Sequence, residues 1–114
     1  MYNYTKIDEN KCDFYDIAPL EELKDGERLF LEIGDNSIVL FNIAGQLFAI
    51  ADVCSHDDGP LGDGDLSGFE VICPRHGATF DVRTGKVLSL PAIVDIPAYP
   101  VRLIDDQIQV GLPK

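Results

Sequence analysis

Two short segments of this sequence each place one cysteine close to one histidine. The first reads Cys54-Ser55-His56 and the second reads Cys73-Pro74-Arg75-His76-Gly77. The chain has only two histidines and three cysteines, so all but one of these side chains fall in the two segments. Thiolates and imidazoles are common protein ligands of zinc and iron. The pattern predicts a metal centre whose ligands are Cys54, His56, Cys73 and His76, in a fold that brings together two loops separated by residues 57–72.

The spacing within each segment fits a [2Fe–2S] cluster of mixed ligation. In such a cluster two cysteines hold one iron and two histidines hold the other, so each loop supplies one ligand of each kind. Neutral imidazole in place of thiolate removes negative charge from one iron and makes reduction easier. These clusters lie at about −150 to +300 mV, against about −400 mV for plant-type all-cysteine clusters. Gly59, Gly62 and Gly77 would let the backbone turn sharply beside the ligands.

A single tetrahedral zinc ion is the alternative for two cysteines and two histidines. Structural zinc sites usually begin with two cysteines that are two to four residues apart, and this sequence has no such pair. A zinc-stabilised interaction module is therefore the competing hypothesis from a different functional class, and it predicts a colourless protein without redox activity. The remaining alternative is two ordinary buried cysteines and two surface histidines that bind no metal, and it would require all of these spacings to arise by chance.

The sequence around the second segment resembles a known family. The stretch CPRHGATFDVRTGK, from Cys73 to Lys86, and the following Leu90-Pro91-Ala92 are similar to Rieske [2Fe–2S] ferredoxins that serve ring-hydroxylating dioxygenases, and the likeness extends from about Phe14 to Val110. It implies one [2Fe–2S] cluster held by Cys54, His56, Cys73 and His76, with a third loop after Leu90 covering the cluster. The fold it implies is all-β: the Rieske (ISP-domain-like) antiparallel β-sandwich, one domain over residues 1–114 with a small cluster-binding subdomain at about 52–92.

The chain differs from the high-potential Rieske proteins of quinol-oxidising complexes at two pairs of positions. Those proteins have a disulfide between the two loops, where this chain has Gly59 and Arg75. They also have a serine and a tyrosine whose hydroxyls donate hydrogen bonds to the cluster region, where this chain has Ala78 and Phe80. Because hydrogen bonds to cluster sulfur stabilise the reduced state, their loss lowers the potential. We therefore expect a potential near the low end of the Rieske range.

The resemblance implies an electron carrier and not an enzyme. An NAD(P)H-dependent flavin reductase would supply single electrons, and a terminal oxygenase would receive them. A complete Rieske oxygenase also needs a mononuclear iron held by two further histidines and a carboxylate, and both histidines are already assigned. The alternatives are the small Rieske-type subunit of assimilatory nitrite reductase, or a carrier for another system such as iron–sulfur assembly or a desaturase. Family likeness also suggests a monomer.

The net charge of −11 argues against nucleic acid as a partner. Most acidic residues are expected to be solvated surface, but Asp57 and Asp58 adjoin His56 and could steer a basic patch of a redox partner, with Arg75 also contributing to docking. The N-terminal segment has no signal-peptide pattern and no segment is apolar enough to span a membrane, so we expect a cytoplasmic protein. Cys12 is expected to be a partly buried, inert thiol.

Hydrophobic patterning predicts strands and hairpins along most of the chain. Turns are predicted at Gly34-Asp35-Asn36, Ala44-Gly45, residues 83–86 and Asp105-Asp106. The single helical turn is predicted at residues 19–23. Prolines leave little room for a regular central strand between residues 91 and 100. The predicted strands are Arg28–Ile33, Ser37–Ile43, Gln46–Ala51, Phe69–Ile72, Thr79–Val82, Val101–Ile104 and Gln107–Val110.

Overall fold

A computed structural model describes residues 7–114 as β-strands with two short 3-10 helices, Glu9–Lys11 and Leu20–Glu22. Within this part of the chain no helix is long and apolar enough to cross a membrane. The strands are β1 (Cys12–Pro19), β2 (Arg28–Ile33), β3 (Asn36–Ile43), β4 (Gln46–Ala51), β5 (Leu66–Ser67), β6 (Glu70–Ile72), β7 (Thr79–Asp81), β8 (Ala98–Tyr99), β9 (Val101–Ile104) and β10 (Gln107–Pro113).

The strands form three antiparallel sheets. One has the order β1-β10-β9, the second β2-β3-β4-β8, and the third β5-β6-β7. In the second sheet, β2, β3 and β4 are consecutive hairpin strands, with register pairs such as Phe30 with Val39 and Phe41 with Phe48. The expected all-β, antiparallel architecture is confirmed.

The four-stranded sheet is the middle layer of the molecule, because β3 buries side chains on both of its faces. Ile38 and Leu40 pack into one apolar cluster with Ile108 and Val110 of β10. Val39 and Phe41 point to the opposite face, where their apolar cluster includes Val71 and Phe80 of the small third sheet. Side chains alternate between the faces of a strand, so a continuous apolar run is the pattern expected of a strand covered on both sides. The third sheet therefore rests on the middle layer.

Tight turns join the hairpin strands and fix their register. Ala44 and Gly45, between β3 and β4, both have positive φ, at 55° and 86°. Asp105 and Asp106, between β9 and β10, have φ of 51° and 64°. Positive φ at both central residues is the requirement of the two-residue hairpin turns that match strand twist. The turns expected at these positions are confirmed.

Three strands were not predicted, β1, β8 and the two-residue β5, and several ends differ. β1 pairs with β10 although its sequence, CDFYDIAP, mixes charged and apolar residues without strict alternation. β8 lies between Pro97 and Pro100, where a strand was not expected, and is only two residues long; it pairs with β4 at the edge of the middle sheet. The predicted strands ending at Val82 and Val110 end instead at Asp81 and Pro113.

Candidate metal centre

Two loops next to the strands of the small third sheet carry the predicted ligands. The first ligand loop, residues 52–62, follows β4, and the second ligand loop, residues 73–78, connects β6 with β7. Both loops close in the same way. The N–H of Cys54 donates to the carbonyl oxygen of Gly59 at 2.8 Å, and the N–H of Cys73 donates to that of Ala78 at 2.7 Å. Each cysteine therefore begins a loop that closes five residues later.

The residue four positions after each cysteine completes this closure. The N–H of Asp58 donates to the carbonyl of Cys54 at 2.7 Å, and that of Gly77 donates to the carbonyl of Cys73 at 3.0 Å. Both residues have positive φ, 60° and 77° respectively. Glycine adopts this conformation without strain, and aspartate tolerates it better than most residues. Of the three glycines expected to allow sharp turns, Gly77 has this backbone; Gly59 and Gly62 lie at close approaches to other side chains instead.

The two cysteines meet at the buried end of the loops. Cys54 is 0% and Cys73 1% exposed, and both belong to the same apolar cluster as Phe41 and Phe80. Burial raises the pKa of the Cys54 thiol, opposed by hydrogen bonds from backbone N–H groups. Burial also acts to raise the pKa of Cys73, but hydrogen bonds from the N–H groups of Arg75 and His76 lower it overall. Backbone donors aimed at sulfur stabilise a thiolate, which is the form that binds a metal.

The two histidines meet at the exposed end. Their rings lie edge to face with centroids 4.8 Å apart and planes inclined at 80°. The His76 side chain is 48% exposed, so its imidazole is open to solvent or to a partner. The structure thus brings all four predicted residues onto two facing loops, with the thiols inside and the imidazoles outside. This donor set fits a [2Fe–2S] cluster with two cysteines on one iron and two histidines on the other.

Arg75 joins the two ligand loops. Its Nε and one terminal nitrogen donate to the two oxygens of Asp57 at 2.6 and 2.8 Å, and the other terminal nitrogen donates to the Pro60 carbonyl at 2.5 Å. The Arg75 side chain is 32% and the Asp57 side chain 24% exposed. The pairing holds the pKa of Asp57 below its usual range and raises that of Arg75. The sequence analysis gives each of these residues a role in docking and does not predict that they bind each other.

The pairing could have been suspected from the sequence. Asp57 directly follows one histidine and Arg75 directly precedes the other, so opposite charges flank two ligands that a cluster would bring together. Because Asp57 is already bound to Arg75, Asp58 is the better candidate for steering a partner. That steering role stays a prediction.

The segment after Leu90 contacts the first ligand loop, and its Ala92 shares an apolar cluster with Cys54 and Cys73, whereas its role as a third loop covering the cluster stays a prediction. The hydroxyl of Ser55 donates to the carbonyl oxygen of Val94 in this segment. The hydroxyls of Thr79 and Ser89 lie 2.9 Å apart. Leu90, Ile93 and Val94 expose 75, 77 and 58% of their surface. Such exposure of three apolar side chains in the segment that contacts the first ligand loop is typical of a protein-binding surface, and the sequence alone does not identify it.

A comparison with protein families matches residues 13–100 to the Rieske [2Fe-2S] domain. The biphenyl 2,3-dioxygenase ferredoxin component of Rhodococcus jostii (strain RHA1) is 41% identical over 101 residues, covering 89% of each chain. The ferredoxin component of the naphthalene 1,2-dioxygenase/salicylate 5-hydroxylase systems of a Ralstonia species is 34% identical over 80% of this chain and 88% of its own.

A solved structure has the same fold. The ferredoxin of carbazole 1,9a-dioxygenase from Nocardioides aromaticivorans IC177 superposes with a TM-score of 0.80 at 29% identity, over 89% of this chain and 98% of that chain. The family match and this structural likeness support one [2Fe–2S] cluster in place of the zinc ion considered above. The chain belongs to the Rieske [2Fe-2S] domain family and is similar to the ferredoxin components of dioxygenase systems.

Proposed function

We propose that this protein is a low-potential Rieske ferredoxin that carries single electrons from an NAD(P)H-dependent flavin reductase to a terminal oxygenase of the ring-hydroxylating type. Cys54 and Cys73 would hold one iron of the [2Fe–2S] cluster, and His56 and His76 would hold the other. The observation that carries the proposal is the pair of buried thiols behind a pair of exposed imidazoles.

The cluster, when bound, supplies a reversible one-electron couple. The protein's residues control access to it. The apolar cluster around Cys54 and Cys73 keeps water from the two thiols, whereas the exposed imidazoles of His56 and His76 would give a partner a short path to the iron that they would hold. Solvent exposure and hydrogen bonds to sulfur are the factors by which a protein tunes such a cluster.

The residues near Cys73 support the low end of the potential range. Ala78 and Phe80 are fully buried and have no hydroxyl to donate. Thr79 does carry a hydroxyl, but it is paired with that of Ser89. Ala78 and Phe80 therefore cannot supply the hydrogen bonds that stabilise the reduced state.

The surface around the histidines supports docking of a redox partner. Leu90, Ile93 and Val94 are exposed apolar side chains in the segment whose Val94 carbonyl accepts a hydrogen bond from Ser55 of the first ligand loop, and the exposed, acidic Asp58 belongs to the same loop. Apolar contact supplies binding energy, and charge steers the encounter. A terminal oxygenase and a flavin reductase could use this surface in turn. Because NAD(P)H would be the electron source, we place the protein in the cytoplasm.

Protein-film voltammetry from neutral to alkaline pH tests the proposal. The expected result is a reversible one-electron wave near about −150 mV, the lower limit for such clusters. A wave well above zero would contradict the low-potential assignment, and the absence of any wave would favour zinc.

A further inference from the structure

The contact between the two ligand loops depends on three residues, Asp57, Gly59 and Arg75, which we name the loop clasp. Arg75 of the second loop makes three hydrogen bonds to the first loop: two to the Asp57 carboxylate and one to the Pro60 carbonyl. The N–H of Gly59 adds a bond of 3.0 Å to the same carboxylate. The Asp57 carboxylate thus accepts hydrogen bonds from both ligand loops.

Gly59 provides the space for the guanidinium group. A Cβ atom at this position would lie 2.7 Å from the central carbon of the Arg75 guanidinium and 2.8 Å from one of its nitrogens. Contacts shorter than 3.0 Å require a shift of one of the groups, so a side chain here would move the guanidinium from the position in which it pairs with Asp57. The three residues therefore fit together as a unit.

The loop clasp also lies beside a ligand. One Asp57 oxygen is 3.6 Å from Nε2 of His76, and the same oxygen accepts the 2.6 Å bond from Nε of Arg75. The guanidinium neutralises the carboxylate close to the imidazole. An isolated surface ion pair contributes little, but a bidentate pair joined to further hydrogen bonds is the arrangement that does contribute.

We propose that the loop clasp is a noncovalent cross-link that retains the cluster and positions His76, with Arg75 cancelling the charge of Asp57 next to the outer iron. The proposal rests on the ligand assignment made under Proposed function. It predicts that cluster retention depends on ionic strength, because salt weakens exposed ion pairs, and not on thiol reductants, which would open a disulfide.

Two measurements on the anaerobically purified, cluster-loaded protein test the proposal: the half-life of the visible absorbance in low and high salt, and the reduction potential. Arg75→Gln and Gly59→Ala should shorten the half-life roughly fivefold in low salt, the rate change that corresponds to about 1 kcal/mol. High salt should reduce the difference from the wild type. Arg83→Gln is the matched control, since Arg83 forms a bidentate pair with Asp81 inside a single turn.

The potential separates a specific role from general loosening of the loops. Arg75→Gln leaves the Asp57 carboxylate uncancelled, which disfavours the added electron and lowers the potential. Gly59→Ala keeps both charges, so it should shorten the half-life with little change in potential. Asp57→Asn leaves the Arg75 charge without its counter-charge and should raise the potential. Arg75→Lys should keep the potential near that of the wild type while shortening the half-life, because lysine retains the charge but not the bidentate geometry.

The outcomes distinguish this proposal from the one on which it rests. A wild-type protein without a [2Fe–2S] cluster would overturn both. A loaded wild type whose Arg75→Gln and Asp57→Asn variants change potential in the same direction, or keep the wild-type half-life, would overturn the loop clasp alone.

Discussion

The Asp52 carboxylate accepts hydrogen bonds from the N–H groups of Leu61 and Gly62, at 2.9 and 2.6 Å, and so joins the beginning of the first ligand loop to its end. We expect Asp52→Ala to reduce the free energy of unfolding by about 2 kcal/mol, because two backbone donors lose a charged acceptor. Asp52→Asn keeps an acceptor oxygen and should lose less. Thermal unfolding of the loaded protein measures both, and equal losses would contradict this account.

Replacing either histidine should remove the cluster. His56→Ala or His76→Ala leaves the outer iron with one protein ligand, so we expect colourless protein with less than two irons and two sulfides per chain. Analysis of iron and acid-labile sulfide measures the loss. Cys12→Ser is the control, since Cys12 lies in β1 outside the ligand loops, and it should keep full cluster content. A His56→Ala protein that retains its colour would refute the assignment.

Adding a hydroxyl beside the second ligand loop should raise the potential. Ala78→Ser introduces a donor at a fully buried position five residues after Cys73. One new hydrogen bond to sulfur, at about 1 kcal/mol, corresponds to roughly 40 mV for a one-electron couple. Voltammetry should show this rise, whereas Ala78→Gly, which adds no donor, should not. A fall in potential for the serine variant would be inconsistent with our explanation of the low value.

The sequence was sufficient to predict most of the fold and to single out the four residues that the structure brings together on two facing loops, for identifiable reasons. The ligand residue types are scarce, so their spacing is informative, and the apolar runs of β2 to β4 are regular. β1 could not be predicted because Asp13 and Asp16 interrupt its apolar pattern, and β8 because prolines flank it. The positions of Asp57 and Arg75 beside the two histidines hint at their pairing, but its bidentate geometry depends on how two distant loops face each other, which local pattern does not specify.

Cys12 should be a slow-reacting thiol in the native protein. It is 8% exposed and its Sγ donates to the carbonyl oxygen of Asp8 at 3.3 Å. Burial, followed by nearby carboxylates, raises the pKa of Cys12, so less thiolate is present at any given pH. We expect iodoacetamide to modify it slowly at neutral pH, faster as the pH rises, and fully in denaturant. Mass spectrometry measures the modification, and rapid labelling of native protein would contradict the burial.

Gly64 should not accept a side chain. A Cβ atom there would lie 1.8 Å from the carbonyl oxygen of Ile72, so the backbone leading to Cys73 would have to move. Gly64→Ala should therefore cost more than about 3 kcal/mol of unfolding free energy, while the exposed neighbour Asp63→Ala should stay within about 0.5 kcal/mol. Chemical denaturation measures both. A Gly64→Ala protein as stable as the Asp63→Ala control would show that this close approach does not exist.

Cys54 and Cys73 share one apolar cluster with Val39 and Phe41 of β3. The opposite face of β3 packs against β10. Metal binding and folding are therefore linked on one side of the middle sheet, since ligation energy adds to the packing of that cluster. The β1-β10-β9 side contributes no ligand and should keep its own stability when the iron is removed. Amide hydrogen exchange should then report two levels of protection in the empty protein, higher in β1, β9 and β10 than in β5, β6 and β7.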